Sequence, residues 1–220
     1  MKVFAIIPVR EFRDTKFRLR GLLDESERAS LTRSLLYHTL ANLESSNVEA
    51  TIIVASEKRQ VSRLAKKFSK VLVINERTHH GGVNKAMEDG IAYVRKNLTK
   101  ISSIMLIPSD LPLLSSRAIN IAISKLKSND LVLAPSTKRD GTNLILFKMP
   151  EGKIPLHYDD NSYKQHLAEA RKLKIRHMTY QPNVFLLDVD SPSDFRKLKK
   201  EMRVHSFQEL TRKLRAVESE

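Results

Sequence analysis

The chain contains no cysteine. Structural disulfides, thiolate zinc sites, iron–sulfur clusters and a cysteine nucleophile are therefore excluded, and a reducing cytoplasm is the expected setting. No stretch approaches the roughly 18 consecutive apolar residues that mark a membrane-spanning helix. The apolar run Val3–Val9 behind Met1-Lys2 is too short for the apolar region and cleavage site of a signal peptide, so none is expected. Aromatic residues make up only 6% of the chain, which leaves few platforms for stacking nucleic-acid bases. No Gly-x-x-x-x-Gly-Lys motif is present, and no Gly-x-Gly-x-x-Gly follows the first apolar run, so neither a P-loop nor a dinucleotide-binding fingerprint is expected. No repeat, low-complexity segment or obvious linker interrupts the sequence.

What is present is a 220-residue chain with 41% apolar residues, enough to fill one large core. A single domain is expected over residues 1–203, followed by a charged helix or tail over 204–220. The net charge of +14 favours anionic partners: nucleic acid, anionic membrane or phosphorylated small molecules. Charge alone does not choose among these, and a basic background without functional meaning remains open.

Short β-rich runs alternate with helical patterns. Val3–Val9, Thr51–Ser56, Val71–Ile74, Ile104–Ile107, Leu131–Ala134, Asn143–Phe147 and Val184–Leu187 read as buried strands. Asp24 and Glu27 have capping-box spacing, and Leu31, Leu35, Leu36, Leu40 and Leu43 then recur at helical period. Val61–Phe68, Asn84–Asn97, Ser116–Leu126, Ser162–Leu173 and Ser193–Met202 also read as helices, and Glu151–Asp160 as a loop or flap. The alternation predicts an α/β fold with a mostly parallel sheet covered by helices on both faces. Ligands of such sheets bind at the carboxyl ends of the strands, so polar residues just beyond each apolar run are the site candidates.

Asp110 follows Ile104–Ile107 and is a candidate Mg²⁺ ligand; the alternative is a cap for the helix near Ser115. Asp188 and Asp190 follow Val184–Leu187, and alternation in extended chain puts both on one side. Two carboxylates so placed repel unless a cation or proton intervenes, which makes them partners for Asp110 at a metal. Ser193 and Asp194 read as a cap. Arg10, Arg13, Lys16, Arg18 and Arg20 crowd the loop after the first strand, either to meet a triphosphate or as a solvated basic surface. Gly82 lets a ligand approach the backbone, and Asn84 offers both donor and acceptor to a base edge, or caps a helix. Asp140-Gly141 is a hairpin signal, with Thr142 and Asn143 placed just past a strand end. Ser162 at a helix start suits an anion, and His166 one turn on is either its neighbour or a core histidine. His79-His80 reads as surface.

Together and in this order, these pieces resemble the archaeal 2-phospho-L-lactate guanylyltransferases of coenzyme F-420 biosynthesis. The matching pieces are Ile7-Pro8-Val9, Lys16-Phe17-Arg18-Leu19, Gly82-Val83-Asn84, Asp110-Leu111-Pro112-Leu113, Asp140-Gly141-Thr142-Asn143, Ser162-Tyr163 with His166, and Asp188-Val189-Asp190-Ser191-Pro192. The resemblance implies a nucleotide-diphospho-sugar-transferase-like, Rossmann-like nucleotidyltransferase fold, with Mg²⁺ as cofactor, GTP and a small phosphorylated three-carbon acid as substrates, and a homodimer. By the same resemblance Asp110 and Asp190 hold metal with Asp188 in support. Lys16 and Arg18 act with Asp110 on the triphosphate, Gly82 and Asn84 lie by the base, and Thr142 and Ser162 meet the acceptor. Two departures stand out: Tyr158 is followed by Asp159-Asp160 where the family has glycine, and Gly82-Val83-Asn84 replaces Gly-Leu-Asn. Two other readings stay open, a nucleotidyltransferase for molybdopterin or a sugar phosphate, and a basic nucleic-acid-binding domain.

Overall fold

Strands buried on both faces need apolar residues at every position, and the runs read above supply them. A computed structural model describes residues 1–77, 81–97 and 103–201. The order is β1 (Val3–Val9), α1 (Glu25–Glu44), β2 (Ala50–Ala55), α2 (Lys58–Ala65), β3 (Val71–Asn75), α3 (Gly82–Asn97), β4 (Ser103–Leu106), α4 (Ser116–Lys125), β5 (Leu131–Pro135), β6 (Thr142–Lys148), α5 (Ser162–Lys172), β7 (His177–Thr179), α6 (Asn183–Leu186) and α7 (Pro192–Glu201). The expected His79-His80 surface pair and the expected tail over 204–220 lie outside the described residues.

The seven strands form one sheet in the order β3-β2-β1-β4-β6-β5-β7. β1 pairs in parallel with β2 and β4, β2 with β3, and β5 with β7; β6 runs antiparallel to both β4 and β5. The sheet is thus mostly parallel, with one reversed strand. Alternation along β1 divides the core. Val3, Ala5 and Ile7 pack with residues of α1, α2 and α4 on one face, and Phe4 and Ile6 pack with residues of α3 and α5 on the other. Asp24 caps α1 through the expected box, its side chain accepting from the Glu27 amide while the Glu27 side chain accepts from the Asp24 amide.

The structure corrects one strand. Val184–Leu187 does not join the sheet, because Asn183–Leu186 forms a single helical turn and Leu187 is extended. The seventh strand is His177–Thr179 instead. A four-residue apolar run fits a buried helical turn as well as a strand. Here Phe185 fills the core while its carbonyl oxygen accepts from the Asn143 side chain at 2.8 Å.

Among the described residues no helix is long and apolar enough to cross a membrane.

Candidate active site

Strand order reverses at β1: the chain builds outward through β2 and β3, then returns to place β4 on the other side of β1. Such a switch point opens a crevice at the carboxyl edge, and the loops after β1 and β4 flank it. The loop after β1 carries Lys16 and that after β4 carries Asp110. β6 starts at this same edge because it runs backwards, which is how Thr142 at its first position comes to the crevice side of the sheet.

A small apolar cluster fixes the loop geometry. Leu19 from the post-β1 loop, Leu35 from α1, Leu187 and Val189 from the segment before α7, and Phe195 and Leu198 from α7 pack together. With Leu187 and Val189 turned inward, the alternating Asp188 and Asp190 face the crevice. The Val189 amide donates to the Asp110 carbonyl at 3.3 Å, tying this segment to the loop after β4. The pattern of alternation holds even though a helical turn, and not a strand, precedes it.

Lys16 occupies the centre of the site. Its Nζ donates to Asp110 Oδ2 at 2.6 Å and to Asp190 Oδ1 at 2.7 Å. The two oxygens therefore lie within the sum of those lengths of each other. The Lys16 side chain is 7% exposed, against 18% for Asp110 and 50% for Asp190. Burial alone would lower the lysine pKa, but the charges of Asp110 and Asp190 and their hydrogen bonds outweigh it and hold the ammonium protonated well above its ordinary range. Lys16 adopts a left-handed backbone, φ 56°, which costs a non-glycine residue roughly 1–3 kcal/mol unless its surroundings hold it there. The Leu19 amide donates to the Lys16 carbonyl at 2.8 Å, and the apolar cluster anchors Leu19.

The ammonium bonds two carboxylates, and Asp188 stands beside them. Burial, then the charges of Asp110 and Asp190, push Asp188 up to about 7, partly offset by hydrogen bonds that include one from Asn143. Asp110 Oδ1 is buried with no hydrogen-bond partner. The other cations of the loop disperse. Arg13 pairs with Glu25 at 3.7 Å, Arg10 and Arg20 are exposed, and Arg18 lines a cleft of about 580 Å³. Six aspartates (Asp140, Asp159, Asp160, Asp188, Asp190 and Asp194) line that cleft against three cations, Arg18, Lys138 and Lys197. Its local charge opposes the molecule's net +14.

Two alternatives raised by the sequence are now decided. Asp110 does not cap the helix after it, because Ser115 accepts from the Ala118 amide of α4. The cap of α7 is Ser191 rather than Ser193: its hydroxyl accepts from the Asp194 amide at 3.3 Å, and its amide donates to Asp194 Oδ2 at 2.9 Å.

The remaining candidates fall into two groups. Gly82 opens α3 with φ +75°, a conformation that favours glycine. Asn84, in the first turn of α3, is engaged with the flap: its Oδ1 accepts from the Tyr158 amide at 2.7 Å and its Nδ2 donates to Asp159 Oδ2 at 3.2 Å. Thr142 and Ser162 meet at 3.1 Å, but both are buried behind the cleft wall. His166 is fully buried, and its Nε2 accepts from the His157 amide at 2.8 Å. That bond leaves the ring proton on Nδ1, which donates to Thr142 Oγ1 at 2.9 Å. Burial, then the nearby His157, push His166 down to about 4. The Asp140-Gly141 hairpin forms between β5 and β6, with Arg139 supplying its left-handed residue.

Residues that sequence reasoning passed over form a second cleft of about 620 Å³ at the ends of β2 and β3, lined by Ser56, Arg59, Asn75, Glu76 and Arg77 among others. The strand-end rule applied to Thr51–Ser56 points there; no motif does. Lys138 and Lys197 in the first cleft stand in basic runs, Lys138-Arg139 and Arg196–Lys200, that match no motif.

The donor set at the crevice, carboxylate oxygens with one buried atom unpartnered, suits a hard divalent cation. Among the described residues, however, no three carboxylate, imidazole or thiol groups stand together as ready-made metal ligands. Asp110 and Asp190 are gathered on the lysine instead.

Comparison with known proteins agrees with the architecture. The family model described as "Guanylyl transferase CofC like" matches residues 1–217. A 2-phospho-L-lactate guanylyltransferase of Methanosphaera stadtmanae is 32% identical over 88% of this chain and 82% of its own length. A phosphoenolpyruvate guanylyltransferase of Rubrobacter xylanophilus is 29% identical over 90% of this chain and 94% of its own. The fold is shared with a nucleotidyl transferase from Methanothermobacter thermautotroptrophicus, at TM-score 0.63 and 11% identity, covering 91% of this chain and 97% of that one.

Proposed function

The chain belongs to the CofC-like guanylyl transferases, and from that premise we propose that it transfers GMP from GTP to a small phosphorylated three-carbon acid, 2-phospho-L-lactate or phosphoenolpyruvate, in coenzyme F-420 biosynthesis. The observation that carries this reading is the pair Asp110 and Asp190 held together at the switch point of the sheet, opening on a cleft where aspartates outnumber cations. A cleft of that charge repels a bare triphosphate and a bare phosphorylated acid alike, so it suits anions that arrive with divalent metal. The reading includes Mg²⁺ on Asp110 and Asp190 with Asp188 in support, a cytoplasmic setting and a homodimer, the last carried by resemblance alone. When bound, the metal supplies charge neutralisation and alignment of the phosphates.

The reaction is an in-line displacement at the α-phosphorus. An oxygen of the acceptor phosphate forms a new bond to that phosphorus, the bond to the β-bridging oxygen breaks, and pyrophosphate leaves with the electron pair. Arg18 and Lys16 stabilise the charge of the departing pyrophosphate. Lys138 and Lys197, which line the same cleft, receive the acceptor's anionic groups. Thr142, Ser162 and His166 are bonded together at the start of β6 behind it, and Asn84 holds the flap. The base lies on the β2–β3 side of the crevice, near Gly82 and the second cleft. No protein nucleophile or general base is required, because a phosphate is already ionised near neutral pH.

The experiment is a pyrophosphate-release assay that crosses GTP, ATP, CTP and UTP with 2-phospho-L-lactate, phosphoenolpyruvate and 3-phosphoglycerate, with and without Mg²⁺. Release confined to GTP with one of the first two acids supports the reading; no release with any pair overturns it.

A further inference from the structure

We propose that Lys16 is the resident cation of the metal site: its ammonium holds Asp110 and Asp190 together until a metal–nucleotide complex displaces it, and the displaced ammonium then meets the phosphates. This rests on the reading of those carboxylates as metal ligands and goes beyond it, since it makes a phosphate-binding residue the metal's competitor.

Several observations converge. A lysine in a polar loop after a strand ordinarily extends into water, as the exposed Arg10 and Arg20 of the same loop do. Lys16 is buried and bonded to two carboxylates at 2.6 and 2.7 Å. It reaches them from a left-handed backbone at φ 56°, so the arrangement is maintained against a local conformational cost. A divalent ion bound to the same two oxygens would stand close to the ammonium, at a separation where like charges in a partly buried site repel strongly. Both cannot occupy the place between Asp110 and Asp190. A single positive charge also under-compensates the two carboxylates it bonds and leaves Asp110 Oδ1 without a partner, whereas a divalent ion with its oxygen shell would satisfy both.

The consequence is coupling. Metal alone must break both ammonium–carboxylate bonds, at 2.6 and 2.7 Å, so it binds weakly. With a nucleotide present the expelled ammonium gains a phosphate partner, so metal and nucleotide each strengthen the other's binding, by linkage to the same degree.

The test is Mn²⁺ binding to the full chain, read as loss of the free-ion electron paramagnetic resonance signal. Wild type is compared with Lys16→Met, Lys16→Gln and Arg18→Gln, without nucleotide and with a non-hydrolysable GTP analogue. Lys16→Met is expected to bind Mn²⁺ alone at least about tenfold more tightly than wild type. Lys16→Gln keeps hydrogen-bonding capacity toward the carboxylates, so it provides a folded neutral variant should the methionine fail to fold, and it is expected to gain in the same direction. Arg18→Gln removes the same charge from the same loop without touching the carboxylates, and is expected to gain far less. The analogue should tighten Mn²⁺ binding in wild type more than in either Lys16 variant. Equal or weaker Mn²⁺ binding in the folded Lys16 variants overturns the proposal, as does an equal gain in Arg18→Gln. Failure of the transfer reading shows separately, as lack of pyrophosphate release; failure here shows as unchanged Mn²⁺ affinity in a chain that still releases it.

Discussion

Asp110 and Arg18 belong to one site but are expected to respond differently to replacement. From sequence alone, Asp110→Asn relieves a cluster of repelling carboxylates, so metal-free stability should hold or rise. The Lys16 ammonium at 2.6 Å reverses that expectation, because asparagine leaves a 7%-exposed cation short of one partner charge. Breaking a buried pair by removing one member costs about 3–5 kcal/mol, and the partial exposure of Asp110 places this one toward or below the lower end. Chemical denaturation in a chelator should therefore show a loss of roughly 2 kcal/mol or more, with turnover down on the order of a hundredfold. Unchanged or raised stability would show that the ion pair contributes nothing. Arg18→Ala removes an exposed side chain from the cleft, so stability should stay within about 0.5 kcal/mol while pyrophosphate release falls. The sequence places Lys16 and Arg18 together as loop cations of equal standing. Their separation into a buried bridge and a cleft-lining side chain depends on Leu19, which turns inward between them and Leu35.

At the scale of elements, α3 and the flap set the shape of the crevice. Gly90 of α3 lies so close to Ile6 of β1 and Val54 of β2 that a β-carbon there would overlap the Ile6 side chain. Gly90→Val should cost about 1–3 kcal/mol through overpacking, read as a lowered denaturation midpoint. An unchanged midpoint would mean that α3 has room to lift. The flap is held from α5 by His166, and that hold depends on pH. Its folded pKa, lowered to about 4 by burial and by His157, lies below the ordinary histidine value near 6.5. Above that ordinary value the ring is neutral whether the chain is folded or not, and its contribution is complete. As pH falls from about 6.5 to about 4 the unfolded chain takes up a proton that the folded chain refuses. Stability therefore drops by up to roughly 3 kcal/mol across that window and levels off below it. His157 and Tyr158 are the titratable groups whose rings face it, at 5.9 and 5.3 Å. His166→Gln should flatten that part of the stability–pH curve whatever its effect on absolute stability; the same slope in both proteins would locate the titration elsewhere. Helix and strand identities were legible wherever the apolar pattern ran long. They failed at Val184–Leu187, a run too short to distinguish two periods, and at the seventh strand, where His177-Met178-Thr179 carries no apolar run.

For the whole molecule, charge is distributed against its average. The chain carries +14, yet in the cleft beside Asp190 aspartates outnumber cations six to three. Turnover should therefore need divalent metal even at high nucleotide concentration, and GTP should exceed ATP by at least about tenfold in kcat/KM, since a site that hydrogen-bonds one base edge leaves groups unpaired with the other. Equal kcat/KM for the two nucleotides would remove the base-reading role of the β2–β3 side. What the sequence determined by itself was local or ordinal: an α/β fold from apolar runs alternating with helical periods, the α1 cap from Asp24 and Glu27, and Asp110, Asp188 and Asp190 as residues beyond apolar runs. These are legible because periodicity and capping act over a few residues. Tertiary structure decided which charges meet. Lys16 and Asp190 are joined only because the chain after β1 and the segment before α7 pack on one apolar cluster at one edge of the sheet. It also committed Asn84 to the flap and buried Thr142 and Ser162 behind the cleft wall. Hydrogen-bond partners far apart in the chain leave no local signal: side-chain chemistry permits many pairings, and only the packed core selects one.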